Sequence, residues 1–449
     1  ILIDAIAGSV TANADVVSAT GHITMKSGSN LALTDSVAVT TGTPGTVSLN
    51  AEGGNLTMAG TATVTATNSS LRVAASGNIA LGNLTAANVS VISSGGAITN
   101  ATGTTKNVTA TNLRLKADDA IGASDRHLSL NVVTLTANSA GIESNGIYLT
   151  EDTAITVDTV AVTVTDFNAD ATLTAVTDGS QSDLVTGANG NIVLVATTGD
   201  ITLNDGTDVS GTPGENNTDG VAVSANGSGS VLIDAVAGNV TVNADMLSGT
   251  GHITLKADLA MTLNANVDVT TASTGTISLD AEGGALTMDG SVNVGTDGSS
   301  LRVAASGDIE LGNLTGTNVS VITSGGAIIN ADDTSKNVTA TNLRLEADDS
   351  IGESDRHLTL NVSTVTANSM GTNTTGIYLT EDNAITVDTV SVTVTDFNAN
   401  ASSTGVTDAS QSDLISDNGG NIVLVAKLGN ITLNDGTDVS VPSAEDNTD

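Results

Sequence analysis

Carboxylates and side-chain amides concentrate between residues 118 and 168, and the same pattern returns between residues 348 and 398. A hard cation such as Ca²⁺ binds several oxygen ligands, so these stretches are the best suited to metal chemistry, and Ca²⁺ is the only cofactor they suggest. Neither an EF-hand loop nor the glycine-rich calcium nonapeptide occurs, so solvated acidic corners are the favoured competing interpretation. The predicted Ca²⁺ ligands are Asp118, Asp119, Asp152, Asp158, Asp166, Asp348, Asp349, Asp382, Asp388 and Asp396.

The histidines offer a second possible chemistry, and the chain has four of them, two in each half: His22, His127, His252 and His357. In the motif SDRH, Ser124, Asp125 and His127 have the residue types of a nucleophile, an orienting acid and a base. Because these residues are neighbours in sequence, their side chains cannot easily converge as a relay. The motif is therefore interpreted as a cluster that holds a loop, and no catalytic residue is predicted.

Enzymes that act on polysaccharides need paired carboxylates in a groove, usually beside aromatic rings that stack on sugars. The chain has only two Tyr, two Phe and no Trp. These aromatic residues and the other unusual residues all occur twice, at matching places, whereas an enzyme needs one groove. We therefore expect that the protein is not an enzyme, and a polysaccharide-active enzyme is kept as a third alternative.

The stretch Leu71–Thr85, LRVAASGNIALGNLT, indicates the elements that position these residues. Its aliphatic residues alternate with others, which predicts two short strands separated by a Ser-Gly corner. The stretch returns at Leu301–Thr315 with two differences, both at outward positions, where Asn78 and Ala80 become Asp308 and Glu310. A strand whose core face is fixed while its other face turns acidic is predicted to pack on one side only.

The whole chain is an internal duplication, in which residues 1–219 align without a gap with residues 231–449. The predicted domains are therefore residues 1–230, with 220–230 as the junction, and residues 231–449. We expect the array to continue beyond both ends. Residues 205–220 are predicted to be a hinge or an outward loop, and all three prolines, Pro44, Pro213 and Pro442, avoid predicted strand interiors.

A shorter period lies inside each unit. Ile23, Val47 and Leu71 are 24 residues apart and each opens a short strand. A second ladder is formed by Leu31, Leu56 and Ile79. Repeats of this length with Gly, Asn and Ser corners are typical of a stacked β-solenoid, in which each coil buries its inner face against the next. The predicted fold class is an all-β parallel β-helix with tandem units of 230 residues.

Two stretches of each unit break this period. Residues 118–127 and 177–190 are polar and rich in turn residues, and they are predicted to be loops outside the coils. The sequence around Phe167 still alternates as a strand. Threonine pairs such as those in residues 63–67 suggest ice binding, which uses flat rows of threonine on a β-helix. Their spacing in the sequence, however, predicts no alignment between successive coils.

The formal net charge is −37 in 449 residues, with no cysteine. Such a surface cannot neutralise phosphates, so nucleic acid is excluded as an expected partner. The lack of cysteine rules out a disulfide framework. No apolar run approaches the roughly 20 residues that span a bilayer, so no membrane insertion is expected in this segment.

Strings such as GNLTMAG, SSGGAIT and GHITMKSGSNLAL resemble the filamentous-haemagglutinin type of secreted bacterial adhesin and the large β-strand-repeat surface proteins. The resemblance covers most of both units. It implies a right-handed parallel β-helix, export across the outer membrane and a role in a cell-surface fibre or adhesin. The 230-residue unit is longer than the short tandem repeats of that family.

These observations predict a secreted, cell-surface structural protein: an extracellular fibre, filament or sheath that associates with copies of itself end to end or laterally. The alternative is an adhesin stalk or binding module that recognises a glycan or a host surface. A fibre predicts interchangeable units, and an adhesin predicts one unit with a distinctive surface feature.

Overall fold

The structure is a computed structural model that describes residues 1–140, 146–187, 189–207, 220–332, 334–370, 376–417 and 419–437. Most of the predicted hinge, including Pro213, lies outside the described residues, as does Pro442. The chain divides into two compact units, Ile1–Gly229 with Ala399–Ala401, and Ser230–Asn398 with Ser402–Asp449. The described residues form strands and no helices. They therefore include no helix long and apolar enough to cross a membrane.

The first 22 strands follow one another, and many of the described corners between them contain Gly, Asn or Ser. They are β1 Leu2–Ala5, β2 Val10–Ala12, β3 Val16–Ser18, β4 Ile23–Ser27, β5 Leu31–Leu33, β6 Ala38–Thr41, β7 Val47–Ala51, β8 Leu56–Met58, β9 Thr63–Ala75, β10 Ile79–Leu81, β11 Asn83–Ser93, β12 Ile98–Asn100, β13 Val108–Ala117, β14 Leu128–Ser139, β15 Ile147–Glu151, β16 Ile155–Val157, β17 Val160–Phe167, β18 Leu173–Gln181, β19 Leu184–Thr186, β20 Ile192–Ala196, β21 Ile201–Leu203 and β22 Val221–Ala225.

The remaining strands repeat this order. They are β23 Val231–Ala235, β24 Val240–Val242, β25 Asp245–Ser248, β26 Ile253–Ala257, β27 Met261–Leu263, β28 Asp268–Thr271, β29 Ile277–Ala281, β30 Leu286–Met288, β31 Asn293–Thr296, β32 Ser300–Ala305, β33 Ile309–Leu311, β34 Asn313–Thr315, β35 Asn318–Thr323, β36 Ile328–Asn330, β37 Val338–Ala347, β38 Leu358–Ser369, β39 Ile377–Glu381, β40 Ile385–Val387, β41 Val390–Phe397, β42 Ser403–Gln411, β43 Leu414–Ser416, β44 Ile422–Ala426 and β45 Ile431–Leu433.

Both predicted ladders are confirmed. Val47 pairs in parallel with Ile23 on one side and with Leu71 on the other. Leu56 likewise pairs with Leu31 and Ile79. Together with a third ladder through β3, β6 and the first half of β9, they make each coil a triangle of three short strands. Each unit is therefore an all-β parallel β-helix, as the sequence predicts.

The core of each unit is one thin, continuous column of aliphatic side chains. Leu71, Val73 and Ile79 are all 0% exposed, and each is in register with an aliphatic residue of the neighbouring coil. A fully buried Leu, Ile or Val contributes about 1.5–3 kcal/mol relative to leaving it exposed. Because one coil alone cannot bury this face, stability comes from stacking.

Two of the predicted loops are wrong in part. Residues 177–190 contain the end of β18 and all of β19, so much of this polar stretch is strand. Within residues 118–127, Ile121 is 0% exposed. It bridges Ile98 and Ile147 in the second ladder. A single buried isoleucine keeps the ladder in register through a polar stretch, which hides the period in the sequence.

The predicted misalignment of the threonines is also wrong for the third ladder of the first unit. Thr65 pairs with Thr40 in β6 and with Thr85 in β11. Thr85 in turn pairs with Thr109 in β13. Successive coils differ in length, so residues that align in space are unequally spaced in the sequence. The paired threonines therefore form one row.

Candidate functional site: a hairpin across one face of each unit

Among the described residues, each unit contains one antiparallel hairpin outside the solenoid. In the first unit β17 pairs with β18, with Val164 opposite Val176 and Phe167 opposite Leu173. The turn between them is closed by the backbone N–H of Asn168, which donates to the carbonyl of Thr172 at 3.0 Å. Ala171 has a φ of 62°, the left-handed conformation that such a tight turn requires.

The hairpin lies across one rank of outward side chains on the first ladder. Strand β17 contacts β4, β7, β9, β11, β13 and β14 in turn. Eight extended residues span about 26 Å, and the five steps from β4 to β14 span about 24 Å, so the hairpin runs along the axis of the solenoid. We call this region the hairpin-covered face; its rank is Thr24, Ser48, Arg72, Ser90, Arg114 and Thr136, each in register with the next.

The covering corrects the prediction that the outward face of this ladder is exposed to water. Ser48 and Arg114 are 1% exposed, and Ser90 is 0% exposed. On the hairpin side, Val162 and Val164 are also 1% exposed. The first ladder is thus buried on both faces, by aliphatic side chains inside and by the hairpin outside.

The free edge of β17 is held by two threonine hydroxyls near the far end of the hairpin. The Thr46 hydroxyl donates to the carbonyl of Thr165 and accepts from its backbone N–H, both at 3.0 Å. The backbone N–H of Phe167 donates to the Thr24 hydroxyl at 2.9 Å. Side chains thereby complete a strand edge that pairs with no other strand in the described part of the chain, and they fix the position of the hairpin along the axis.

Two ion pairs join the hairpin to strands of the first ladder. Lys26 Nζ lies 2.9 Å from Asp166 Oδ2, and Arg72 Nε lies 3.0 Å from both oxygens of Asp178. The Asp178 side chain is 7% exposed and that of Arg72 is 16% exposed. Partly buried pairs of this kind specify one position because leaving either charge unpaired is costly.

The root of the hairpin is fixed by the other buried polar groups. Arg114 Nε donates to the carbonyl of Gly179 at 3.0 Å. Gln181 Nε2 donates to the carbonyl of Leu115 at 2.9 Å and to the Thr136 hydroxyl at 3.0 Å. The hairpin is therefore anchored at its root, its middle and its tip.

The second unit repeats this arrangement with the same residue types. Lys256 Nζ lies 3.0 Å from Asp396 and Arg302 Nε lies 3.1 Å from Asp408. Gln411 Nε2 donates to the Thr366 hydroxyl at 3.0 Å. Every position of the rank is identical in the two copies; in the second copy it is Thr254, Ser278, Arg302, Ser320, Arg344 and Thr366.

A buried carboxylate lies where the third ladder is interrupted. Leu130 of β14 pairs with Glu151, but the next pairing is Thr134 with Thr156, so Val132 has no partner in β15 or β16. Glu151, which is 0% exposed, accepts the backbone N–H of Val132 at 2.9 Å through Oε2. Its Oε1 accepts the backbone N–H groups of Asp152 and Thr153 at 3.0 and 3.1 Å, and the Thr153 hydroxyl at 3.1 Å.

Burial raises the pKa of Glu151, although these hydrogen bonds oppose the shift. Its equivalent, Glu381, accepts the backbone N–H of Val362 at 2.9 Å. The carboxylate thus replaces the missing strand partner, which is a structural role.

The predicted Ca²⁺ ligands are distributed over the surface rather than gathered. Asp166 and Asp396 lie in the hairpins beside lysines, and Asp152 lies 2.5 Å from Lys106 Nζ. Asp382 contacts Lys336 and Lys427. In the described residues no three His, Cys, Asp or Glu side chains are placed to hold one metal ion.

The other predicted ligands make local contacts. Asp158 Oδ2 accepts from Asn204 Nδ2 at 2.9 Å, and Asp388 Oδ2 accepts from Asn434 Nδ2 at 2.7 Å. Asp118 and its equivalent Asp348 are exposed, whereas Asp119 and Asp349 are half-buried and their carbonyls accept the hydroxyls of Ser139 and Ser369.

The histidines and tyrosines contact neighbouring coils. Arg126 Nη1 donates to the Thr102 hydroxyl at 2.9 Å, and His127 Nδ1 lies 2.8 Å from the Thr150 hydroxyl. These neighbours in the SDRH motif thus have different partners. Tyr148 is 5% exposed, with its hydroxyl accepting from Asn191 Nδ2 at 3.1 Å.

An acidic neighbour of the rank gives the second unit a specific pH dependence. Burial raises the pKa of Asp280, and the Arg302 guanidinium only partly offsets this. A carboxyl whose pKa is higher in the folded state stabilises the fold below its unfolded pKa and loses that contribution as pH rises through the folded pKa. Asp280→Asn, which installs the residue present at Asn50 in the first copy, should raise the urea midpoint at pH 7 and have little effect near pH 3. An equal effect at both pH values would contradict this assignment.

The chain was compared with protein-family models, curated proteins and solved structures, and none of them matches it. Function is therefore inferred from the geometry of the described residues. The hairpin and its rank were not recognised as a site from the sequence. Two signals pointed to them: the alternation around Phe167, and the return of scarce basic residues at matching places in a chain with only 12 Lys and Arg.

Proposed function

We propose that the chain is a structural segment of an extracellular fibre, filament or sheath on a cell surface. The supporting observation is the repeated hairpin-covered face, which ties six strands of each solenoid together along its axis. A fibre bears load along that axis, and a strap with contacts at its root, middle and tip opposes separation of the coils. The resemblance to filamentous-haemagglutinin adhesins adds support for secretion and surface location.

The proposed partners are copies of the chain itself, associating end to end or laterally. Exposed strand edges favour such pairing. The net charge of −37 opposes it, because like-charged surfaces repel each other at low ionic strength. A divalent cation that bridges exposed carboxylates of two chains would lower this repulsion, which gives Ca²⁺ a role between chains without an internal site.

We therefore expect millimolar Ca²⁺ to promote bundling of the chain, and EDTA to reverse it. Light scattering and negative-stain electron microscopy measure this, with NaCl at the same ionic strength as the control that separates screening from bridging. Ordered fibres with an axial repeat of one or two units would support the proposal. Scattering that stays flat with Ca²⁺ and shows only separate rods would count against it.

A further inference from the structure

The threonine row of the first unit lies on the third ladder, where equivalent positions of neighbouring coils pair in parallel. The row consists of Thr40, Thr65, Thr85, Thr109 and Asn131, one residue in each of five successive coils. Five coils span about 19 Å along the axis. Thr85, Thr109 and Asn131 are exposed, and Thr65 is half-buried. Within the described residues, no side chain of the row makes a hydrogen bond to another protein group.

A shallow groove of about 330 Å³ follows this row from Thr65 to Asn131. Its lining includes the methyl groups of Ala86 and Ala110 together with hydroxyl and amide groups. All of its lining residues are Thr, Ala or Asn, and they include Thr67 and Asn68. None of these is charged, although the whole chain carries a net charge of −37. The surface therefore offers a neutral, hydroxyl-lined groove on an acidic molecule.

We propose that this groove binds a neutral polysaccharide chain lying along the axis of the solenoid. The hydroxyl and amide groups repeat about every 4.8 Å, which presents one hydrogen-bonding position per coil to a polymer that is itself regularly hydroxylated. The net charge of −37 repels anionic polymers. The groove has no carboxylate to attract a cation. Ala86 and Ala110, the next residues after Thr85 and Thr109, have small side chains that leave room for a sugar ring.

The second copy lacks the same groove chemistry. Gly295 replaces Thr65 and Asp297 replaces Thr67. The row is interrupted there, and a carboxylate lies on its border. We therefore place binding on the first copy only. This proposal does not depend on fibre formation, and it gives the binding-module alternative a definite location.

The test is native affinity electrophoresis of the full chain in gels that contain hydroxyethyl cellulose, galactomannan or dextran, with alginate as the anionic comparison. We expect retardation by at least one neutral polysaccharide and none by alginate. The double variant Thr85→Asp and Thr109→Asp should reduce the apparent affinity at least tenfold. The matched control, Thr315→Asp and Thr339→Asp, adds the same charge to the second copy and should keep the parental retardation.

A second variant guards against misfolding. Thr65→Gly with Thr67→Asp installs residues that the second copy already carries at the equivalent positions, and it should also lose retardation with an unchanged circular dichroism spectrum. Absence of retardation in every neutral gel would overturn the proposal, as would equal loss in the control. If sedimentation shows instead that the parent dimerises and the Thr85, Thr109 variant does not, the row is an interface between copies and the glycan assignment is wrong.

Discussion

Glu151→Ala is expected to lower the free energy of unfolding of the first unit by about 3 kcal/mol. The carboxylate is 0% exposed and accepts the backbone N–H of Val132, a residue that is itself only 1% exposed. An unpaired buried donor costs about 1–3 kcal/mol. The backbone N–H groups of Asp152 and Thr153 lose their acceptor as well. Water can replace part of that loss because Thr153 is exposed.

Urea unfolding followed by circular dichroism measures this effect. Glu151→Gln keeps one acceptor oxygen and should fall between the parent and the alanine variant. Glu381→Ala should destabilise the second unit in the same way. Glu52 is exposed, so Glu52→Ala should change stability by less than about 0.5 kcal/mol. If Glu151→Ala costs no more than Glu52→Ala, the carboxylate does not replace the missing strand partner.

Asp178→Ala is expected to release the hairpin of the first unit and to cost about 2–3 kcal/mol. It leaves the Arg72 guanidinium, whose side chain is 16% exposed, without its carboxylate. Removing one partner of a fully buried pair costs about 3–5 kcal/mol, and the partial exposure of Arg72 lowers that figure. The double variant Arg72→Ala and Asp178→Ala should lose less than the sum of the two single variants, because neither charge is then left unpaired.

Limited proteolysis reports the release directly, because the chain has only two phenylalanines and each lies in one hairpin. Chymotryptic cleavage after Phe167 should rise about tenfold or more in Asp178→Ala, since cleavage follows the population of the open state. Cleavage after Phe397, which is 3% exposed, should stay at the parental rate. Asp408→Ala should reverse the pattern and open only the second hairpin. Equal cleavage at both sites in either variant would contradict independent fastening of the two units.

Independent fastening has a consequence for a fibre. If each unit carries its own axial strap, local damage to one hairpin leaves the neighbouring unit intact. Stability in such a solenoid is approximately a sum of unit and interface contributions, so loss in one unit does not propagate in full. The identical rank in the two copies, beside neighbouring positions that differ such as Asn50 and Asp280, is consistent with this requirement.

The ladders of this protein follow from the sequence. Alternation with period two and a coil of about 24 residues are local patterns, and stacking of Ile23, Val47 and Leu71 follows because each coil must bury the same apolar face. The parallel β-helix, its inward residues and the strand around Phe167 were predictable for that reason.

The hairpin-covered face was decided by tertiary structure alone. Arg72 and Asp178 are 106 residues apart in sequence, and Phe167 and Thr24 are 143 apart. Such contacts depend on where the hairpin lies across coils that have already stacked, so a local sequence period cannot predict them. The threonine row is similar, since unequal coil lengths become equal spacing only once the coils stack. Local alternation therefore determined the solenoid, whereas the docking of one strand pair across it determined which outward residues became buried.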